Sequence, residues 1–208
     1  MDLGMKGQVA LITGAARGIG RCEAEALAAE GCHVALNDLD ANTAQITGDE
    51  IARDFGVTTR VYQADVTDNT AVGDMISAVL TDFERLDILI NNAGVAGKYL
   101  GHRVEDLPPD YWDTMFASHA RSSFLCCHHA VPHFKARGYG RIINTSSQNY
   151  TGGGRPGVTN YAAAKAAIAG FTRTLAKEVA EYGATANAVA PGYVETDLIK
   201  SYSPHNLH

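Results

Sequence analysis

Short apolar runs rich in Val, Ile and Leu alternate along the chain with longer, Ala-rich segments whose apolar residues recur at three- and four-residue steps. The short runs predict buried strands over Gln8–Thr13, His33–Asp38, Thr58–Ala64, Leu86–Asn91, Gly140–Thr145 and Thr185–Ala190, each bounded by turn residues. The longer segments predict helices over Gly18–Glu30, Ala41–Phe55, Thr70–Phe83, Pro109–Arg137 and Thr159–Glu181. In the last of these, Ala164, Ile168, Phe171, Leu175 and Val179 fall on one buried stripe. Strands separated by helices imply a parallel sheet covered on both faces, a doubly wound α/β fold of three layers. No repeat, linker or low-complexity tract divides the chain, so residues 1–208 are expected to form one domain. The segment from Gln148 to Val158, with Gly152-Gly153-Gly154 ahead of Arg155-Pro156-Gly157, predicts a loop mobile at one end and stiff at the other. It follows a strand's carboxyl end, where ligands bind in open α/β sheets.

Composition narrows the partners. With 46% hydrophobic and 19% charged residues in 208, the chain can bury a core, which excludes disorder as its main state. The 21 Gly follow no three-residue period, which excludes a collagen-like chain. A net charge of −6 without any basic run argues against nucleic acid or an anionic membrane as partner. No apolar stretch approaches the roughly 20 residues needed to cross a bilayer. The amino terminus lacks the basic segment and apolar core of a secretory signal, which places the chain in the reducing cytoplasm with Cys22, Cys32, Cys126 and Cys127 as thiols. His129 and His133 share a helix face beside Cys126-Cys127-His128, but no acid lies between them and no metal site is expected.

The chemistry begins directly after the first strand, at Thr13-Gly14-Ala15-Ala16-Arg17-Gly18-Ile19-Gly20. Glycines there allow a tight turn and let backbone amides approach a pyrophosphate at the positive end of the following helix. No Gly-Lys-Ser or Gly-Lys-Thr occurs, which excludes a nucleoside-triphosphate loop. The second strand ends at Asp38, eighteen residues past Gly20, close to the offset of an acid that hydrogen-bonds an adenosine ribose. A carboxylate there repels a 2′-phosphate, which favours NAD over NADP, while Arg17 in the glycine turn keeps NADP open. Further on, Tyr161 and Lys165 lie one helical turn apart. A cation beside a phenol stabilises the phenolate, and a Tyr so placed can exchange a proton with an alcohol or carbonyl oxygen.

Taken together, Thr13 to Gly20, Asn91-Asn92-Ala93-Gly94, Ser147, and Tyr161 with Lys165 resemble the short-chain dehydrogenase/reductase family in its single-domain Rossmann form, over about Lys6 to Thr196. The resemblance implies that Tyr161 is the general acid/base, that Lys165 binds the nicotinamide ribose and lowers the phenol's pKa, and that Ser147 hydrogen-bonds the reacting oxygen. Ser147 stands fourteen residues before Tyr161, one more than the family's usual spacing, so Ser146 is a fallback. It further implies cofactor contacts from Gly14, Arg17, Gly18, Ile19 and Gly20, from Asp38, Asp65 and Val66, from Asn91, Ala93 and Gly94, and from Pro191, Gly192, Val194 and Thr196. Where the family often has an Asn that anchors a water in a proton relay, this chain has His119, which can also donate and accept.

The implied reaction is hydride transfer between NAD(H) and a small alcohol or ketone, in a homodimer or homotetramer. Two alternatives remain: a nucleotide-binding relative that has lost catalysis, and a methyltransferase, which shares the glycine turn and the acid. Family members continue for several dozen residues beyond Pro191-Gly192, so the usual last helix and strand are expected to be missing here, through truncation or an incompletely given chain.

Overall fold

The computed structural model describes residues 3–152 and 154–196. Expectations that fall on residues 1–2, on Gly153 and on the carboxyl end at 197–208 lie outside them. Six parallel strands form one sheet: β1 (Val9–Thr13), β2 (His33–Asp38), β3 (Thr59–Gln63), β4 (Ile88–Asn91), β5 (Gly140–Thr145) and β6 (Ala184–Val189), in the spatial order 3-2-1-4-5-6. The helices are α1 (Gly18–Ala29), α2 (Ala41–Phe55), α3 (Asn69–Phe83), α4 (Pro109–Phe116), α5 (Ser122–Arg137), α6 (Asn149–Gly152) and α7 (Thr159–Ala180).

The two faces of the sheet follow from the alternation of side chains along a strand. Val9 and Leu11 of β1 join Leu89 and Ile142 against α3, α5 and α7, through Val72, Ile76, Phe134 and Leu175. Ala10 and Ile12 point the other way and join Val34, Leu36 and Ile90 against α1 and α2, through Ala24, Ala28 and Ile51. Strands buried on both faces read as unbroken apolar runs, and all five residues of β1 are buried. β1 lies between β2 and β4, so the chain reverses its direction of travel across the sheet there. A crevice opens at the carboxyl ends of β1 and β4 at such a point.

Three elements depart from the sequence pattern. The long helix expected over Pro109–Arg137 is interrupted by a wide, π-type turn at Ala117–Arg121. The hydroxyls of Ser122 and Ser123 donate to the carbonyl oxygens of Ser118 and His119, competing with the ordinary backbone ladder. The segment after β5 carries the short helix α6, and a single 3₁₀ turn forms at Gly97–Tyr99. Such short pieces rest on local hydrogen bonds, such as that from Tyr150 N to Ser147 O, and leave no periodic signal.

At the opposite end of the sheet, Asp87 is fully buried at the start of β4. It accepts from the Val9 amide at 2.8 Å and from Arg85 at 2.7 and 2.8 Å, with Arg137 at 3.6 Å. Removing one partner of a buried charged cluster leaves the others unmatched. Asp87→Ala is therefore expected to cost about 3–5 kcal/mol, read as a lowered midpoint in urea unfolding.

Candidate active site

The turn from β1 into α1 is built on close backbone approach. Gly14 has φ +66°, and a β-carbon there would lie 3.0 Å from the Ala93 Cα. At Gly20 it would lie 2.2 Å from the Gly14 carbonyl oxygen, where no atom fits. Two side chains outside the expected site residues fasten this turn to the end of β4. The Asn92 amide donates to the carbonyls of Thr13 and Gly14 at 3.1 and 3.2 Å. The Thr13 hydroxyl accepts from the amides of Asn92 and Ala93 at 3.0 and 3.1 Å.

Beside this turn lies a cavity of about 860 Å³. Of the expected cofactor residues, Gly14, Arg17, Gly18, Ile19, Asp38, Asp65, Val66, Ala93, Gly94 and Thr196 line it. Gly20 packs against the turn instead, and Asn91 is buried beneath, donating to Asn144 at 2.8 Å and to the Cys127 sulfur at 3.3 Å. Asn144 in turn donates to Thr172 of α7 at 2.8 Å, so this polar chain ties β4, β5, α5 and α7 together. Pro191, Gly192 and Val194 lie outside the cavity lining; the Pro191 carbonyl accepts from the Gln148 amide at 3.1 Å.

The cavity fits a dinucleotide on three counts. The residue ahead of α1, Arg17, makes no side-chain cap to it, and the positive end of the helix favours an anion at the cavity. The glycines let backbone reach the cavity wall. Asp38 is held at its rim, accepting from the Ala16 amide at 3.0 Å and the Asp40 amide at 3.1 Å. Asp65 accepts from the amide and hydroxyl of Thr67 at 2.8 and 2.7 Å, which fixes the adjoining turn.

Tyr161 and Lys165 stand on the first turns of α7. The Asn160 side chain orients that end, accepting from the Tyr161 amide at 2.8 Å and donating to the Tyr99 carbonyl at 2.9 Å. Lys165 is 3% exposed, its Nζ donates to the Thr145 carbonyl at 2.6 Å and lies 5.5 Å from the centre of the Tyr161 ring. Burial pulls the ammonium down to about 7, against the pull of the Glu23 charge. Burial raises the phenol's pKa, and a hydrogen bond from Ser147 opposes the rise. Ser146 is occupied elsewhere, its hydroxyl donating to the Lys165 carbonyl at 2.8 Å. Ser147 is thus the serine that faces the phenol, and α6 takes up part of the longer spacing to Tyr161.

His119 sits in the wide turn, 4% exposed, its ring edge-on to Tyr161 at 5.4 Å and 85°. Its Nε2 lies 2.9 Å from the Val95 carbonyl, which can only accept, so that nitrogen carries the proton. Burial, and then the Lys165 charge, hold the imidazole well below its ordinary pKa, so the ring is neutral. Nδ1 is left as a buried acceptor without a partner among the described residues. Gly94 makes room for the ring: a β-carbon there would lie 2.0 Å from the His119 Cε1. Farther along α5 the imidazoles have structural partners, His129 facing the Asn69 side chain at 3.1 Å and His133 accepting from the Leu86 amide at 3.2 Å.

An open parallel sheet with a nucleotide-sized cleft at its point of reversal defines a doubly wound nucleotide-binding protein. The family model described as short chain dehydrogenase matches residues 8–207, and the chain belongs to that family of oxidoreductases, which work with nicotinamide cofactors. It is 38% identical over 198 residues to the D-beta-hydroxybutyrate dehydrogenase of Rhizobium meliloti (strain 1021), covering 95% of this chain and 75% of that protein. It is 36% identical over 201 residues to a 3-oxoacyl-acyl-carrier-protein reductase of Escherichia coli (strain K12), covering 97% of this chain and 79% of that one. The crystal structure of NAD+-bound xylitol dehydrogenase matches with a TM-score of 0.89 at 32% identity, over 94% of this chain and 74% of that one.

Glu23 on α1 also stands outside the expected site residues. Its Oε2 is buried without a partner among the described residues, and burial pushes the carboxyl from 4.5 up to about 7 despite the Lys165 charge. A raised folded value costs stability above about pH 7 and nothing below about pH 4.5. Glu23→Gln is expected to gain about 1–2 kcal/mol at pH 8, discounted for the side chain's partial exposure, and nothing at pH 4. Urea unfolding at the two pH values reads the difference.

Proposed function

We propose that the chain, read over 1–208 as one dinucleotide-binding domain, reversibly transfers a hydride between NAD(H) and the carbonyl or secondary alcohol carbon of a small organic substrate. The observation that carries this reading is the meeting of Tyr161, Ser147 and buried Lys165, joined through His119 to Gly94 and Val95 of the cleft wall. The matched proteins support the substrate class, since their names denote hydroxy or oxo compounds: hydroxybutyrate, 3-oxoacyl and xylitol. Asp38 supports NAD, because a carboxylate at the cavity rim repels a 2′-phosphate.

Bound in the cleft, the nicotinamide supplies or accepts the hydride. The protein's share is the proton and the placement. The Tyr161 hydroxyl gives its proton to the substrate oxygen in reduction and takes it back in oxidation. Ser147, whose hydroxyl favours the charged form of the phenol, steadies the same oxygen. Lys165 uses one N–H on the Thr145 carbonyl and turns its remaining donors to the nicotinamide ribose. His119 serves as a neutral group, its Nδ1 accepting from a water. Exposed Trp112 on α4 and Phe124 on α5, the latter 6.3 Å edge-on to Phe171 of α7, support pairing of two copies through these helices.

Tyr161→Phe is expected to bind NADH within about twofold of the wild type and to lose roughly 10³-fold in kcat across a panel of ketones. Near-normal turnover would remove the tyrosine from the mechanism, and NADH binding with no activity in the wild type would favour a non-catalytic relative. His119→Ala is expected to lower kcat about tenfold with NADH affinity kept, and His119→Asn, which still donates and accepts, to restore most of it. Equal turnover in wild type and His119→Ala from pH 6 to 9 would end the relay role.

A further inference from the structure

Among the described residues lining the cavity, Arg17 is the one cation, and it stands beside Asp38 and Leu39 at the end that would receive the adenosine ribose. Its guanidinium does not face the cavity alone. Nη2 donates to the Asp40 Oδ2 at 2.6 Å, and Asp40 is not part of the cavity wall. Asp40 is fixed in that position from its own side. It caps α2, with Oδ1 accepting from the Thr43 amide at 3.1 Å and Oδ2 from the Thr43 hydroxyl at 2.7 Å, and its own amide donates to Asp38 at 3.1 Å. The hydrogen bonds from Thr43 come first, and the Arg17 charge after them, in holding its carboxyl below the usual carboxylate value. An acid already anchored by its helix restrains a long arginine side chain without having to be ordered itself.

A 2′-phosphate entering this end of the cleft meets Asp38 directly. Among the described lining residues it also finds the one counter-charge, Arg17, engaged by a second acid. We propose that Asp40 is a specificity-determining residue, which withholds Arg17 from a 2′-phosphorylated ribose and so reinforces the preference that Asp38 sets. The proposal rests on the reading of the cleft as a cofactor site. The pair is exposed to water and therefore exchangeable, so the discrimination it adds is about five- to tenfold, on top of what Asp38 provides.

The test is titration calorimetry of NAD⁺ and NADP⁺ binding to the wild type, Asp40→Asn, Arg17→Ala and the double variant, with no turnover required. Asn is itself a good helix cap, so Asp40→Asn removes the charge and keeps α2; Asp40→Ser is the second variant should the first fold poorly. The expected result is that Asp40→Asn tightens NADP⁺ about five- to tenfold, leaves NAD⁺ within about twofold, and that the gain disappears when Arg17 is also Ala. A gain below about twofold, or one that persists without Arg17, overturns the proposal. The wild type reports separately on Asp38: tighter binding of NADP⁺ than NAD⁺ there overturns the NAD reading, whatever Asp40→Asn does.

Discussion

The structure depends on how closely two strand-to-helix turns can approach. At the carboxyl ends of β1 and β4, a β-carbon on Gly20 would overlap the Gly14 carbonyl, and one on Gly14 would press on Ala93. The two turns are then fastened by Asn92 and Thr13, which satisfy each other's backbone groups in both directions. Polar backbone that would otherwise be orphaned at the end of a buried sheet is thereby paired inside the protein. The cavity wall beside the amino terminus of α1 is the consequence. With a bulkier residue at either glycine, the turn would lift and the cavity would lose its floor.

A second theme is the concentration of poorly solvated polar groups around the amino end of α7. Lys165, Glu23 and His119 are all held toward their neutral forms by burial. The buried atoms without partners among the described residues include Glu23 Oε2, His119 Nδ1, Asn91 Oδ1 and Thr145 Oγ1. Such groups cost stability where they stand, and proteins tolerate them where a ligand or water completes the set. The opposite end of the sheet shows the contrast. Asp87 is just as buried, yet two arginines and a backbone amide surround it. One end of the sheet is finished internally, and the other keeps buried polar atoms unpaired among the described residues.

Strands buried on both faces and helices with apolar stripes were readable because burial dictates residue type directly, and all six strands and the long helices fall within a few residues of where the pattern puts them. The motif glycines were readable because backbone geometry at Gly14 and Gly20 permits little else, and Asp38 because its carboxylate accepts from the turn amides of Ala16 and Asp40. What the pattern hid has local causes. The wide turn around His119 goes with serine hydroxyls three and four residues downstream bonding back to carbonyls, which no periodicity registers. Ser146 and Ser147 are chemically identical neighbours, separated only by which way the chain turns after β5. Glu23, one charged residue among several on α1, reads as a solvated position; only the neighbouring elements turn it into a buried acid. The pairing of Arg17 with Asp40 spans two turns that sequence order keeps apart.

Gly94 and His119 share one volume. The imidazole fills the space a side chain at 94 would need, and its donor nitrogen is committed to the carbonyl of the very next residue, Val95. Position 94 can therefore not drift alone. A larger residue at 94 is admissible only after 119 has become smaller, whereas a smaller residue at 119 is admissible at once and leaves a void beside Tyr161. The order in which substitutions can accumulate is thus built into the packing, and the route away from this glycine-histidine pair runs in one direction, through the histidine first.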